Sequence, residues 1–207
     1  MKYGYTLSSE EFAPGDLVRQ AARAEEAGFS FCSISDHLHP WVSAQGHSPF
    51  VWSVLGAIAE ATSSIEVGVG VTCPILRFHP LLVAHASATV SRLLGGRFFL
   101  GVGTGENLNE HATGVRWPAP EIRLEMLEEA VHVIRRLWTG ETIDHRGTYF
   151  EIENARIFDA PEREPELLVS GFGTKSVQLA ARIGDGYWGL APDADTIRTY
   201  REAGGTG

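Results

Sequence analysis

The chain has 207 residues, a formal net charge of −9 and 43% hydrophobic residues. That apolar content is enough for a buried core and excludes disorder, while the acidic balance excludes a non-specific grip on nucleic acid or an anionic membrane, which needs clustered positive charge. The two cysteines, Cys32 and Cys73, form no CxxC pair and no disulfide framework. The opening "MKYGYTLSSEEF" lacks the apolar core of a secretion signal, and no run approaches the ~18 apolar residues of a membrane span. The expectation is a globular, cytoplasmic protein with no nucleic-acid or membrane partner.

Strands and helices alternate along the chain. "KYGYT" (2–6) reads as a strand, and "PGDLVRQAARAEEAG" as a helix that starts near Pro14 and Asp16 and stops at Gly28. "FSFCSIS" (29–35) is a second strand, "PFVWSVLGAIAEAT" (49–62) a second helix, and "IEVGVGV" (65–71) a third, β-branched strand. A helix over about 79–94 leads into the strand "RFFLGVG" (97–103). The helix over about 119–138 carries an apolar stripe at Leu127, Val131, Ile134 and Trp138, the three-to-four spacing of a packed face. "ETIDHRGTYFEIENARI" predicts a β-hairpin excursion within 140–160. "ELLVSG" and "GDGYWGLA" are two further strands with a helix over 173–183 between them, and a last helix starts near Asp193.

Strands separated by helices imply right-handed βαβ units and a parallel sheet. Polar residues stand at the ends of successive strands: Asp36–Trp41, Thr72–Arg77, Thr104–His111 and Ser170–Lys175. A doubly wound open sheet would gather them at one switch point, whereas a (β/α)8 barrel spreads them over one face. The prediction is therefore a single α/β domain of the TIM-barrel type over 1–207. About six βα units are present where a barrel needs eight, so a piece of a longer protein, cut before the last strands, is expected.

Asp36, His37, His39 and Trp41 fall within six positions after the second strand. An HxH pair there is how metal-dependent hydrolases supply two imidazoles. Such a site needs more ligands, and Glu106, Asn109 and His111 make no second pair, so no metal is expected. Asp36 as a turn cap with rim histidines is the plain alternative. A redox site fits better, because Trp41 adds a flat wall that a metal has no use for.

"GVGTGENLNEH" (101–111) lacks the third glycine of a dinucleotide fingerprint, and Glu106 would repel phosphate. It reads better as the wall of a planar ring, with Gly103 and Gly105 allowing close approach and Glu106 and Asn109 offering a carboxyl and an amide. In "VSGFGTKS" (169–176) a glycine-rich strand end opens a helix, which exposes N–H groups suited to phosphate, with Lys175 in the first turn. An ordinary strand–helix turn is equally consistent with those residues. "GVGVTCPILRF" (68–78) places glycines inside a strand, a weakness unless something must approach closely.

These segments together resemble the luciferase-like monooxygenase superfamily, and within it the oxidoreductases that depend on the deazaflavin coenzyme F420. The F420-dependent glucose-6-phosphate dehydrogenases are most alike. The matching stretches are "ISDHLHPW", "GHSPFVW", "GVTCPILRFHP", "RFFLGVGTGENLNEH", "TGETIDHRGTYFEIENARI" and "GDGYWGLA", which span nearly the whole chain. The resemblance implies His37 as the histidine acting on the substrate carbon–oxygen centre, Trp41 beside it, and Glu106 facing the ring's N1 side. It implies Asp36, Cys73, Thr104, Gly105 and Asn109 as cofactor-lining residues, Gly171, Phe172, Gly173, Lys175 and Ser176 as contacts to the phosphate and tail, and a non-proline cis peptide at Gly70–Val71. A homodimer acting on a small molecule is expected.

One departure bears on the substrate. The sugar-phosphate enzymes place a phosphate-holding lysine just after the "GDG" strand, where this chain has Asp193. The expected activity is thus F420-dependent hydride transfer to or from a small organic substrate other than glucose 6-phosphate. The competing readings are an FMN-dependent luciferase-like monooxygenase and a non-catalytic flavin-binding relative.

Overall fold

The short β-branched and aromatic runs pair side by side in chain order. The computed structural model describes residues 1–206. Among these residues the strands are β1 (Gly4–Leu7), β2 (Phe31–Ile34), β3 (Glu66–Thr72), β4 (Phe98–Val102), β5 (Ile143–Arg146), β6 (Glu151–Ala155), β7 (Glu166–Ser170) and β8 (Gly186–Trp188). β5 and β6 form a separate antiparallel hairpin, and the other six make one sheet in the order β1-β2-β3-β4-β7-β8. Every neighbouring pair in that sheet is parallel. Sequential order with parallel pairing is the arrangement of a curled barrel wall, here a half-barrel of six strands.

The helices are α1 (Pro14–Glu26), α2 (Val51–Ala61), α3 (Pro80–Leu93), α4 (Asn107–Glu110), α5 (Pro120–Trp138), α6 (Thr174–Ile183) and α7 (Ala194–Glu202). Prolines at the first turn open α1, α3 and α5, where the missing N–H costs nothing. Gly28, at φ +85°, ends the first of them. Apart from the short α4, consecutive helices pack against one another around the outside of the sheet. The predicted stripe of α5 is buried at all four positions, and Trp138 Nε1 donates to Ala84 O and Ser87 Oγ of α3.

Alternate strand residues point to the helices. Leu7, Cys32, Ile34, Val67, Val69, Leu100, Val102, Leu167 and Val169 are buried there, the period-two pattern of a sheet with one face covered. The intervening positions line the concave side, where Phe31, Phe99 and Trp188 form a cluster with centroids 5.8–6.4 Å apart. This cluster explains the glycines inside β3. The place of a Gly68 side chain is taken by the Phe99 ring, and a Cβ on Gly70 would stand 2.7 Å from Trp188 Cζ2. What approaches those glycines is the protein's own aromatic layer.

The expected element ends shift by one to three residues, as frayed termini do. Three short helical elements among the described residues lie outside the prediction: 3-10 turns at Ser43–Gln45 and His111–Thr113, and α4. The stretch read as a plain wall after β4 contains α4, because the N–H groups of Asn109 and Glu110 both donate to Glu106 O at 3.0 Å.

Candidate active site

The loops that leave the C-terminal ends of the six parallel strands share one side of the sheet, so residues far apart in sequence converge there. The loop after β2 carries Asp36, His37 and Trp41, the loop after β3 carries Cys73 and Arg77, and the loop after β4 carries Thr104, Gly105, Glu106 and Asn109. Those three strands are neighbours in the sheet, which makes this the polar centre of the face.

His37 is anchored by a residue to which the sequence assigned no role. Its Nδ1 lies 2.6 Å from Glu10 Oε1, and both side chains are largely buried. The contact is bent enough to fall short of a hydrogen bond, yet at that distance the carboxylate acts on the ring as a charge. Glu10, in the loop after β1, also accepts from Ser35 Oγ at 2.6 Å. Burial raises its pKa, but the His37 contact and the Ser35 hydroxyl outweigh it and hold the carboxyl down at about 2. Trp41 meets the His37 ring edge-on at 5.2 Å and leaves half its own surface in solvent, at 54% exposure.

Glu106 behaves in the opposite way. Its Oε2 is buried without a hydrogen-bond partner. Burial pushes its pKa up, and the Glu10 charge adds to that rise while His37 opposes it. Two carboxyls near one imidazole are thus driven apart in acidity, one made a stronger acid and the other a weaker one.

Asn109 is buried, and its Oδ1 accepts from the backbone N–H groups of Leu38 and His39 at 2.8 and 3.0 Å. Its carbonyl oxygen is therefore spent on fixing the His37 loop. Asp36 is buried as well, accepting from Thr72 Oγ1 and pairing with Arg77. The Gly70–Val71 peptide is cis, and the β3–β4 register shifts between Val69 and Thr72. Beyond that shift the Val71 side chain occupies the space before Gly103, at 3.2 Å from a Cβ there, and Cys73 Sγ fills the space before Gly105. These two glycines admit neighbouring side chains of the β3 end. Thr104 is half-buried at the end of β4.

The segment after β7 is more open. Gly171 closes against Ser176, whose Oγ accepts from Gly173 N and donates to Gly173 O. Phe172 is 72% exposed, and Lys175 Nζ lies 3.3 Å from Glu121 Oε1. That exposed pair sets a carboxylate beside the lysine in the first turn of α6. Among the described residues no group of three metal-ligating side chains gathers. His39 stacks on His111 at 5.8 Å instead. No helix among them is long and apolar enough to cross a membrane.

The profile of the luciferase-like monooxygenase family matches residues 1–204. The chain belongs to that family. Within the family it is 45% identical over 195 residues to an F420-dependent hydroxymycolic acid dehydrogenase of Mycobacterium tuberculosis, covering 94% of this chain and 54% of the relative. It is 40% identical over 187 residues to an F420-dependent glucose-6-phosphate dehydrogenase of Microbacterium testaceum, covering 90% and 56%. The solved structure of an F420-dependent secondary alcohol dehydrogenase in complex with an F420–acetone adduct superposes with a TM-score of 0.93 at 35% identity, over 98% of this chain and 63% of that one. The chain spans little more than half the length of these curated relatives.

Glu10, Arg77, Thr72 and Glu110 are the parts of this luciferase-like site that sequence reasoning passed over. The signal was present for each: Glu10 stands three residues after a strand end, and the others lie inside polar strand-end runs already singled out. What the sequence lacks is their pairing across loops.

Proposed function

We propose that this chain carries the reacting face of an F420-dependent oxidoreductase that moves a hydride between the deazaflavin and a small alcohol or carbonyl substrate. The observation that carries the reading is the pairing of a buried, unpartnered Glu106 Oε2 with a His37 ring held by Glu10 on the same face. These residues suit the coenzyme: the orphaned carboxyl oxygen wants a polar partner, and the loops around it are braced by buried contacts.

When bound, F420 supplies the site for a two-electron hydride transfer. The remaining work falls to the chain. With the Glu10 carboxylate at Nδ1, that nitrogen keeps the ring proton, leaving Nε2 to take the proton of a substrate hydroxyl and to return it in the reverse direction. Glu10 stabilises the imidazolium that this transfer creates. Glu106, its proton held more firmly than on an exposed glutamate, offers a hydrogen bond to the negative charge that develops as hydride moves. Trp41 packs edge-on against the imidazole and shields one side of it.

A phosphorylated sugar suits this face poorly. Asp193 caps α7, and the Thr196 hydroxyl and the Asp195 N–H hold it below the usual carboxylate range, so a negative charge stands just past β8. The secondary alcohol dehydrogenase fold match supports a neutral alcohol or ketone instead. The test is fluorescence titration of the protein with F420 and, separately, with FMN, followed by turnover on 2-propanol and on glucose 6-phosphate. F420 quenching with alcohol-dependent F420 reduction, lowered about 1,000-fold to a measurable residual rate in His37→Ala, is expected. FMN binding without an F420 response would transfer the site to flavin monooxygenase chemistry.

A further inference from the structure

Arg77 lies in the loop after β3 with its side chain only 10% exposed. Its Nη2 sits 3.0 Å from Asp36 Oδ1 and donates to Asp36 O at 2.8 Å. On its other side, Nε lies 3.6 Å from Glu110 Oε1, and the Arg77 backbone N–H donates to Glu110 Oε2 at 2.7 Å. Both carboxylates are 1% exposed, and the guanidinium packs 4.3 Å from the Phe78 ring centroid. Nη2 and one face of the guanidinium are thus taken up by Asp36 and Phe78, while Nε, which makes no hydrogen bond, faces Glu110 as a charge.

The two acids are the chain neighbours of the site's reacting and bracing groups. Asp36 immediately precedes His37. Glu110 immediately follows Asn109, whose Oδ1 holds the Leu38 and His39 N–H groups, and its N–H belongs to the turn that Glu106 O begins. Two buried carboxylates against one guanidinium leave the cluster electrostatically exposed to the loss of that single cation. Burial raises the Glu110 carboxyl, and the Arg77 N–H and guanidinium pull it back.

We propose that Arg77 is the positioning residue of this site: by gripping Asp36 and Glu110 together it fixes the His37 loop against the Glu106–Asn109 turn and so sets the separation of the two reacting groups. The inference rests on the roles proposed above for His37 and Glu106. A shift of about 1 Å between reacting groups costs on the order of 100-fold in rate, which gives the size of the effect.

The test compares Arg77→Gln and Glu110→Gln, with Arg77→Lys as the variant that keeps the charge should the others fold poorly. In the ligand-free protein, amide hydrogen exchange at Leu38 and His39 rises about tenfold or more in Arg77→Gln, while the amides of β1 and α5 stay within about twofold. In the F420-loaded protein, Arg77→Gln lowers kcat about 100-fold in the wild-type background and by less than about threefold in a His37→Ala background, because residues acting as a unit are not additive. A general structural defect would lower both backgrounds by the same factor, and that result overturns the proposal. Unchanged exchange at Leu38 and His39 overturns it too. Absence of F420-linked turnover in the wild type refutes the activity instead, and the exchange measurement then decides the role of Arg77 alone.

Discussion

Replacing Glu10 by glutamine removes one charge and almost no volume from beneath His37. The carboxyl is held at about 2 against an ordinary 4.5. At ~1.36 kcal/mol per pKa unit, that depression corresponds to about 3 kcal/mol of stability at neutral pH. Because the folded value is depressed, the contribution is complete above the unfolded value of 4.5 and is lost as pH falls toward 2. Glutamine still accepts the Ser35 hydroxyl, which restores about 1 kcal/mol and leaves a net loss of about 2 kcal/mol. Urea unfolding of the ligand-free wild type and variant reads this directly. The gap is expected at pH 7 and narrows by about 1 kcal/mol at about pH 3.5, where part of the wild-type advantage has gone. Equal stabilities at pH 7, or a gap that stays constant down to that acidic pH, would refute the account of Glu10 as a buried carboxylate held ionised by its neighbours.

Substitutions at two other positions test the opposite environments. Glu106→Gln relieves a carboxyl whose pKa burial has raised, and a raised acid weakens the fold progressively above its unfolded value. The variant is therefore more stable than the wild type at alkaline pH by thermal melting, and because its amide N–H still donates it keeps most turnover, whereas Glu106→Ala, which removes the donor, loses about 100-fold or more. Gly105→Ala forces a side chain into φ +71° and to within 2.5 Å of Cys73 Sγ. Left-handed strain and overpacking together predict a loss of about 2–4 kcal/mol in urea unfolding.

Much of the candidate site is legible in the sequence because a parallel barrel wall sends every strand's C-terminal loop to one side. Once strands and helices alternate, polar residues at strand ends must meet, and Asp36, His37, Trp41, Glu106 and Asn109 do come to one face. Glycines were less readable. A glycine inside β3 or β4 says that something approaches, but the approaching group is named only by register and bulge, which bring Phe99, Trp188, Val71 and Cys73 into those gaps. Lys175 was similarly ambiguous, since its partner Glu121 lies 54 positions away on another helix.

By itself, then, the order of residues determined the alternation of strand and helix, the parallel sheet and the face on which chemistry collects, because hydrophobic period, prolines, glycines and caps act within a few positions of themselves. Tertiary structure alone decided which carboxyl is made the stronger acid and which the weaker. Glu10 and Glu106 are the same residue type at similar strand ends. Their acidities diverge because Glu10 meets an imidazole and a hydroxyl, whereas Glu106 meets buried surface and another negative charge. Such differences depend on distances of a few ångströms between segments remote in sequence.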